Sequence, residues 1–262
     1  MDMALLIAKS GLDAHHKNIE VISNNLANAN TTAFKRNRAE FADLPYEIVQ
    51  EPGTPITQDT DSAAGLAIGT GTKLSNNKKI FTDGAQIQTD NQLDVAIKGR
   101  GFFKVQLPNG GDFGYTRAGS LQVNDQGQLT LANGYVLQPA ITIPAGTQQV
   151  EISKDGIVSV LATGSNELQN IGQLQLSDFI NPDGLKPIGD NLYLATTASG
   201  TATDSNPGSN GAGILAQGAL EGSNVNVVEE MVNLIEAQRA FEVTSKAVSA
   251  VDSMLQQLAR EA

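Results

Sequence analysis

The chain has 262 residues and carries 28 acidic against 17 basic side chains, a formal charge of −11, with no cysteine and no tryptophan. This length allows one large domain or two small ones. The acidic balance argues against nucleic-acid binding, which depends on Lys and Arg contacts with phosphates. The lack of cysteine excludes disulfides, thiol nucleophiles and thiolate metal sites.

The N-terminal region has the pattern of a helix that buries one narrow seam. Apolar residues recur at intervals of seven, the spacing of a helix packed along another helix. The run covers about 27 residues, or ~40 Å of helix. It ends at residues 28–32, where short polar side chains compete for backbone hydrogen bonds. The seam residues expected to form an assembly interface are Leu5, Leu12, Ile19, Ile22 and Leu26.

The C-terminal region repeats this pattern over about 33 residues, or ~50 Å of helix. Asn226 is the predicted N-cap, with Glu229 placed as in a capping box. Because each helix has a single narrow stripe, we expect the two to pack on each other or on copies of the chain. The C-terminal seam residues are Val227, Leu234, Phe241, Val248 and Leu255.

Between the helices the apolar period changes from seven to two. Leu93, Val95 and Ile97 alternate with other residues, as do further pairs down to Leu192 and Leu194. Turn signals such as Asp-Gly and Asn-Gly separate these runs. The pattern predicts strands, including one at Ile141 and Ile143, and an antiparallel β domain.

The sequence therefore predicts an α+β fold in three parts. Residues 1–30 and 226–262 form a discontinuous helical domain that packs like a coiled coil. Residues 92–196 form the central antiparallel β domain. Residues 31–91 and 197–225 form extended connectors, rich in Pro, Thr, Gly and Asn.

No catalytic or ligand-binding motif is complete. The stretch 69–73 lacks the spacing of a phosphate loop. His15 and His16 are the only histidines and point in different directions on a helix, so they do not form a metal site. Asp59 and Asp61 are interpreted as solvated surface rather than a glycosidase pair. We expect no enzyme activity, no cofactor and no metal.

The basic run at residues 35–38 is interpreted as the solvated end of the first helix rather than a DNA contact. No apolar stretch reaches the ~20 residues of a membrane span, so direct membrane insertion is not expected. Asp2 and Lys9 do not fit a cleaved signal peptide. The protein is therefore expected either to be cytoplasmic or to leave the cell by a route without such a signal.

Several long strings resemble the family of flagellar basal-body rod and hook proteins. They are Ser-Asn-Asn-Leu-Ala-Asn-Ala-Asn-Thr-Thr-Ala-Phe-Lys-Arg at 23–36, two motifs at 95–103 and 115–119, and two more at 223–232 and 238–242. Their order along the chain matches the family. The signature residues within the first string are Asn24, Asn25, Leu26, Ala27, Asn28, Thr31, Thr32, Phe34 and Lys35. One departure is Ala33, where the family often has Gly; a left-handed backbone there would strain Ala.

The resemblance is strongest to the distal-rod members of the family. It rests on the chain length and on segment 46–65, which by this resemblance stiffens the rod by wedging between neighbouring subunits. The residues that mark this segment are Tyr46, Pro52, Gly53, Pro55 and Gly65.

The resemblance implies a structural subunit that is exported unfolded by the flagellar type III apparatus. The subunit would polymerise with copies of itself into a rigid helical tube that carries torque from motor to hook. Implied neighbours are proximal rod subunits, hook subunits, and periplasmic and outer-membrane ring proteins, with location in the basal body between periplasm and outer membrane. Three alternatives remain: a hook or proximal rod subunit, a wall-cleaving hydrolase, and a monomeric α+β protein whose seam closes within one chain.

Overall fold

A computed structural model describes residues 3–51, 53, 55–57, 60–61, 64–108, 111–164 and 167–261. Helix α1 spans Met3–Ala27 and helix α2 spans Val227–Glu261. The strands between them are β1 Asn37–Asp43, β2 Tyr46–Gln50, β3 Pro55–Thr57, β4 Thr60–Asp61, β5 Leu66–Gly69, β6 Thr72–Lys79, β7 Gln86–Gln88, β8 Val95–Lys98, β9 Phe103–Gln106, β10 Phe113–Thr116, β11 Leu121–Val123, β12 Leu129–Leu131, β13 Leu137–Gln138, β14 Thr147–Ile152, β15 Ile157–Ala162, β16 Leu168–Gln173, β17 Leu176–Asp178, β18 Lys186–Gly189, β19 Leu192–Leu194, β20 Thr203–Ser205, β21 Ile214–Gln217 and β22 Ala219–Glu221.

The chain divides into two compact units. Unit 1 comprises Met1–Ala27, Asn37–Lys79 and Asn226–Ala262, and unit 2 comprises Asn28–Arg36 and Ile80–Val225. Unit 1 therefore holds both helices and β1–β6, whereas unit 2 holds the other strands together with most of the signature string. The segments 31–36, 80–91 and 197–225, which the sequence pattern assigned to connectors, belong to unit 2 by their contacts, and so do residues 28–30, which it assigned to the helical domain.

In unit 1 the two helices run antiparallel. The end of α1 meets the start of α2, because Asn25 Nδ2 donates to Glu230 Oε2 at 3.2 Å. Further along the helix pair, the centre of the His16 ring lies 6.5 Å from the centre of the Phe241 ring. Beyond it, Gly11 faces the methyl group of Thr244. Asn226 Oδ1 accepts from the amide of Val228 at 3.1 Å, which confirms the predicted N-cap.

Three antiparallel strand pairs complete unit 1, namely β1–β6, β2–β5 and β3–β4. Strands β1 and β6 pair antiparallel from Asn37↔Lys79 to Asp43↔Thr72, and both contact α1. The turn before β6 needs glycine at position 71, since its φ is 123° and a Cβ there would lie 2.0 Å from Ser10 Oγ. Strands β2 and β5 form a separate two-stranded ribbon, which runs from the end of the first hairpin.

Unit 2 is the predicted β-rich centre, and its paired strands are antiparallel as expected. A five-stranded sheet has the order β13-β9-β10-β19-β18, and a three-stranded sheet has the order β14-β15-β16. Their apolar faces share one core. This core includes Val95, Ile97, Phe103, Val105, Leu121, Leu129, Val158, Val160, Leu174 and Leu176.

The predicted strand at Ile141 and Ile143 is wrong. Both side chains are buried in the core of unit 2, but between them Thr142 forms only an isolated bridge to Gln128. The Leu129 amide donates to the Ile141 carbonyl at 3.1 Å, and the Ile143 amide donates to the Gly127 carbonyl at 2.7 Å. The apolar alternation at these positions reflects the burial of every second side chain. Such burial does not require a continuous ladder of backbone hydrogen bonds.

Candidate functional site

The seam residues of the two helices lie at or near the place where α1 and α2 meet, and most remain half-exposed. Ile22 is buried and Val227 is exposed, whereas the side chain of Leu255 lies outside the described residues. The half-buried seam residues are Leu5, Leu12, Ile19, Leu26, Leu234, Phe241 and Val248. Contact between the helices of one chain therefore leaves part of this apolar surface in solvent.

Helix α2 also has a second apolar face, which the heptad pattern missed. Its residues are 50–70% exposed. At 100° per residue they fall within an arc of about 140°, on the side of the helix opposite the seam. The charged residues Glu236, Arg239, Glu242 and Lys246 lie on the same arc. The members of this outer face are Val228, Met231, Val232, Ile235, Val243 and Met254. A helix that is apolar on two opposite sides is typical of one buried by neighbours on both.

The first half of the signature string ties elements of unit 1 together. Asn25 is buried in the last turns of α1, where its Oδ1 accepts from the Asn37 amide at 2.8 Å. Its Nδ2 donates both to the Asn37 carbonyl at 2.8 Å and to Glu230. Asn25 therefore joins the end of α1 to the starts of β1 and α2. Apolar periodicity cannot find such a residue, because the contact depends on a side-chain amide.

The second half of the string is built into unit 2. Thr31 Oγ1 donates to Asn28 Oδ1 at 3.1 Å, which stabilises the turn after α1. The Thr32 carbonyl accepts from Asn191 Nδ2 at 2.8 Å, and Phe34 is buried. Ala33 has φ 59° and is 1% exposed, so the left-handed backbone that would strain Ala is present.

Lys35 corrects the interpretation of the basic run as a solvated helix end. Its side chain is 0% exposed, and Nζ donates to Glu221 Oε1 and to the Thr82 carbonyl, each at 2.6 Å. Arg117 Nε donates to Glu221 Oε2 at 2.8 Å, and its Nη2 reaches Asp83 Oδ1 at 3.0 Å. The cluster holds two cations and two carboxylates, so each buried charge has a partner of opposite sign.

Electrostatics within this cluster favour the ionised Glu221. Burial by itself raises the pKa of Glu221, but hydrogen bonds and charge from Arg117 and Lys35 outweigh it and hold the pKa below its ordinary 4.5. Burial lowers the pKa of Lys35, and the nearby Arg117 charge acts in the same direction. A glycosidase acid needs a carboxyl pKa that is raised, so Glu221 has the wrong electrostatics for that role.

Acid is expected to weaken unit 2 through Glu221. Because its folded pKa is depressed, the stability it contributes is present above 4.5 and is lost as the pH falls through the folded pKa. Thermal unfolding between pH 7 and pH 3 should show the melting temperature falling below pH 4.5. Glu221→Gln should melt lower than wild type at pH 7 but fall less steeply in acid; an unchanged slope would contradict this assignment.

The segment compared with the rod-stiffening part of the family forms the β2–β5 ribbon. Tyr46 packs its ring against Gly69, whereas Ile48 is 63% exposed and Leu66 and Ile68 are also exposed. Gly53 has φ 83°, and Gly65 is exposed just before β5. Pro52 lies outside the described residues; Pro55 begins β3, and its side chain is not described.

Glu221 lies outside the recognised strings and was not among the predicted site residues. It stands in Gly218–Gly222, a segment that carries no charge pattern, and its role depends on the approach of residues 35 and 117. Among the residues that the structure describes, no group of three His, Asp or Glu is placed to hold a metal ion. No described helix has the length and apolar character of a membrane span.

Three family models match the chain. The model described as flagella basal body rod protein matches residues 5–35, and that described as flagellar hook protein FlgE/F/G D1 domain matches residues 96–160. The model described as flagellar basal body rod FlgEFG protein C-terminal matches residues 216–261. These matches cover the signature string, much of the β centre and helix α2.

Curated relatives are similar over nearly their whole length. The flagellar basal-body rod protein FlgG of Buchnera aphidicola (from Schizaphis graminum) is 48% identical, with 98% of each chain covered. The protein of the same name from Caulobacter vibrioides is 46% identical over 97% of each chain. That from Bacillus subtilis is 36% identical over 95% of each chain.

Proposed function

The chain belongs to the family of flagellar basal-body rod proteins, and from this premise we propose how its helices and ribbon build a rigid shaft. It is a structural subunit of the flagellar distal rod, located in the basal body, and it is not an enzyme. It polymerises there with copies of itself and with other flagellar components. The hook or proximal rod subunit is the alternative within the same family.

The two antiparallel helices form the polymerising part of the subunit. The seven-residue stripes face each other in the manner of a short coiled coil. Because each Val and Ile of the outer face of α2 is already partly buried, it gains a fraction of the about 1.5–3 kcal/mol that full burial of an exposed side chain contributes. The outer face is the observation that carries this proposal, because a monomer leaves it in water and a second copy of the chain covers it.

The β2–β5 ribbon is the stiffening element. A two-stranded ribbon is marginal by itself in water, and this one exposes Tyr46, Ile48 and Leu66. Contact with a neighbouring subunit buries those side chains and fixes the ribbon. A wedge of this kind between subunits resists the compression of one side of the tube that bending requires.

Torque enters from proximal rod subunits and leaves through hook subunits, with the periplasmic and outer-membrane rings around the shaft. The chain reaches this place through the flagellar type III export apparatus. Passage through a narrow channel requires an unfolded chain, and the absence of cysteine removes the risk of disulfide formation on the way.

The location is tested by antibody labelling of isolated hook–basal bodies under the electron microscope. Label is expected on the straight shaft between the rings and the hook. Label on the curved segment would make the chain a hook subunit and would remove the stiffening role from the ribbon. Shafts without label would overturn the rod function.

A further inference from the structure

The chain passes between its two units four times, at positions 27/28, 36/37, 79/80 and 225/226. In unit 2 these passages belong to three segments: residues 28–36, residues 80–85 and residues 221–225. A load carried from one unit to the other along the chain must pass through these segments, whichever way the units are arranged. How the three segments are held to one another therefore decides how unit 2 takes up a load.

Asn224 binds the other two segments with its side chain. Its Oδ1 accepts from the Arg36 amide at 2.7 Å. Its Nδ2 donates to the Ile80 carbonyl at 2.8 Å and to Thr82 Oγ1 at 3.0 Å. The Ile80 amide in turn donates to the Arg36 carbonyl at 2.9 Å, so the three segments close a ring of hydrogen bonds.

Glu221 makes the same connections with a charge. Its Oε1 accepts from Lys35 Nζ in the first segment and from the Gly84 amide, at 3.0 Å, in the second. Its carbonyl accepts from the Ala33 amide at 2.8 Å. Arg117 then joins the carboxylate to the β core, since its Nη1 also donates to the Gly99 carbonyl at 2.9 Å.

We propose that Asn224 and Glu221 are positioning residues of a joint that locks the three passage segments of unit 2 into one cooperative element. Under load, three independent loops would open one at a time. Segments that can open only together divide the load among them. Buried charged hydrogen bonds suit this role because breaking one leaves an unpaired charge in the interior. The proposal rests on the rod function for its purpose, but its structural content can be measured on the monomer.

Hydrogen exchange on the full-length monomer tests the joint. In wild type the amides of Ala33, Ile80 and Gly84 are expected to exchange at a common rate, as members of one opening unit do. Asn224→Ala removes a bond to each of the other segments without removing a charge. It should speed exchange at all three amides by about tenfold or more, the effect of losing one to two hydrogen bonds. Neither Ala33 nor Gly84 bonds to the Asn224 side chain, so their response reports coupling.

The control is Val160→Ala, which opens a cavity in strand β15, away from the three segments. It should speed exchange throughout unit 2 in equal proportion, while Asn224→Ala leaves the amides of β15 unchanged. Glu221→Gln serves as the second variant, and its expected signature is the same. The joint is refuted if Asn224→Ala affects Arg36 alone, or if it raises exchange in β15 as much as in the three segments.

Failure of the joint and failure of the rod function are distinguishable. If the three amides exchange independently while the antibody still labels the straight shaft, the joint is overturned and the rod function stands. Where both hold, cells with Asn224→Ala should assemble labelled shafts and swim normally in dilute medium. Their motility should then fall more steeply than that of Val160→Ala cells as viscosity and load increase; equal behaviour of the two variants would contradict a mechanical role.

Discussion

Val232→Asp is expected to leave the monomer folded but to abolish rod assembly and swimming. Val232 is half-exposed on the outer face of α2, so the monomer places the new carboxylate in water. In the polymer a second chain covers this face, and an unpaired buried charge costs several kcal/mol at each subunit contact. Circular dichroism should show wild-type helix content, while electron microscopy should show no hook–basal bodies with a completed shaft.

Gln238→Asp is the matched control. Position 238 is exposed on the flank of the same helix, between the seam and the outer face, so the same charge should be tolerated there. Phe241→Asp and Leu12→Asp, on the seam, should reduce both helix stability and assembly, because the helices of one chain already meet there. Normal swimming of the Val232→Asp strain would show that the outer face stays in solvent, and normal swimming of the seam variants would remove the seam from assembly.

Deletion of residues 46–69 is expected to give rods that assemble but bend. The gap can be closed, because Thr70 Oγ1 donates to the Pro45 carbonyl at 2.7 Å and the Leu44 amide donates to the Gly71 carbonyl at 2.9 Å. Two glycines in place of the ribbon should leave the β1–β6 hairpin intact. Without the wedge, neighbouring subunits can slide on one side of the tube, and the shafts should appear curved in electron micrographs.

Point variants test whether stiffening depends on the apolar side chains of the ribbon or only on the presence of its backbone. Ile48→Ser removes one of its most exposed apolar side chains and should produce a weaker form of the same curvature. Glu47→Ser, at the neighbouring exposed position, should leave the shafts straight. Straight shafts in the deletion strain would refute the stiffening role, and so would the loss of all shafts from cells whose monomer is folded.

The buried charge cluster explains why the signature string extends past the end of the helix. Asn25 serves unit 1, whereas Lys35 serves unit 2, and only nine residues, 28–36, lie between the passage at 27/28 and the next one at 36/37. The string is therefore needed where the chain leaves one unit and is secured in the next. Its resemblance to the family was visible in the sequence, but the physical reason for each residue was not.

Local sequence determined the helices and strands whose signal lies within a few residues. The seven-residue periodicity predicted both helices, because a helix packed along another must place apolar residues on one side at regular intervals. The cap at Asn226 and the period-two runs at Val95 and Phe103 were also correct, since they depend on neighbours within a few residues. Ile141 and Ile143 were assigned to a strand because burial and pairing leave the same alternation.

Only the tertiary structure decided which charged side chains are buried and which apolar helix face remains exposed. Lys35 reads as a solvated base until Glu221, 186 positions away, is brought within 2.6 Å of it. The outer face of α2 reads as scattered apolar residues until α1 is seen to occupy the opposite side of that helix. Local sequence determines which backbone a segment adopts, through propensity and period. The cost of burying a charge or an apolar face depends on what the folded chain places beside it, and distant residues supply that neighbour.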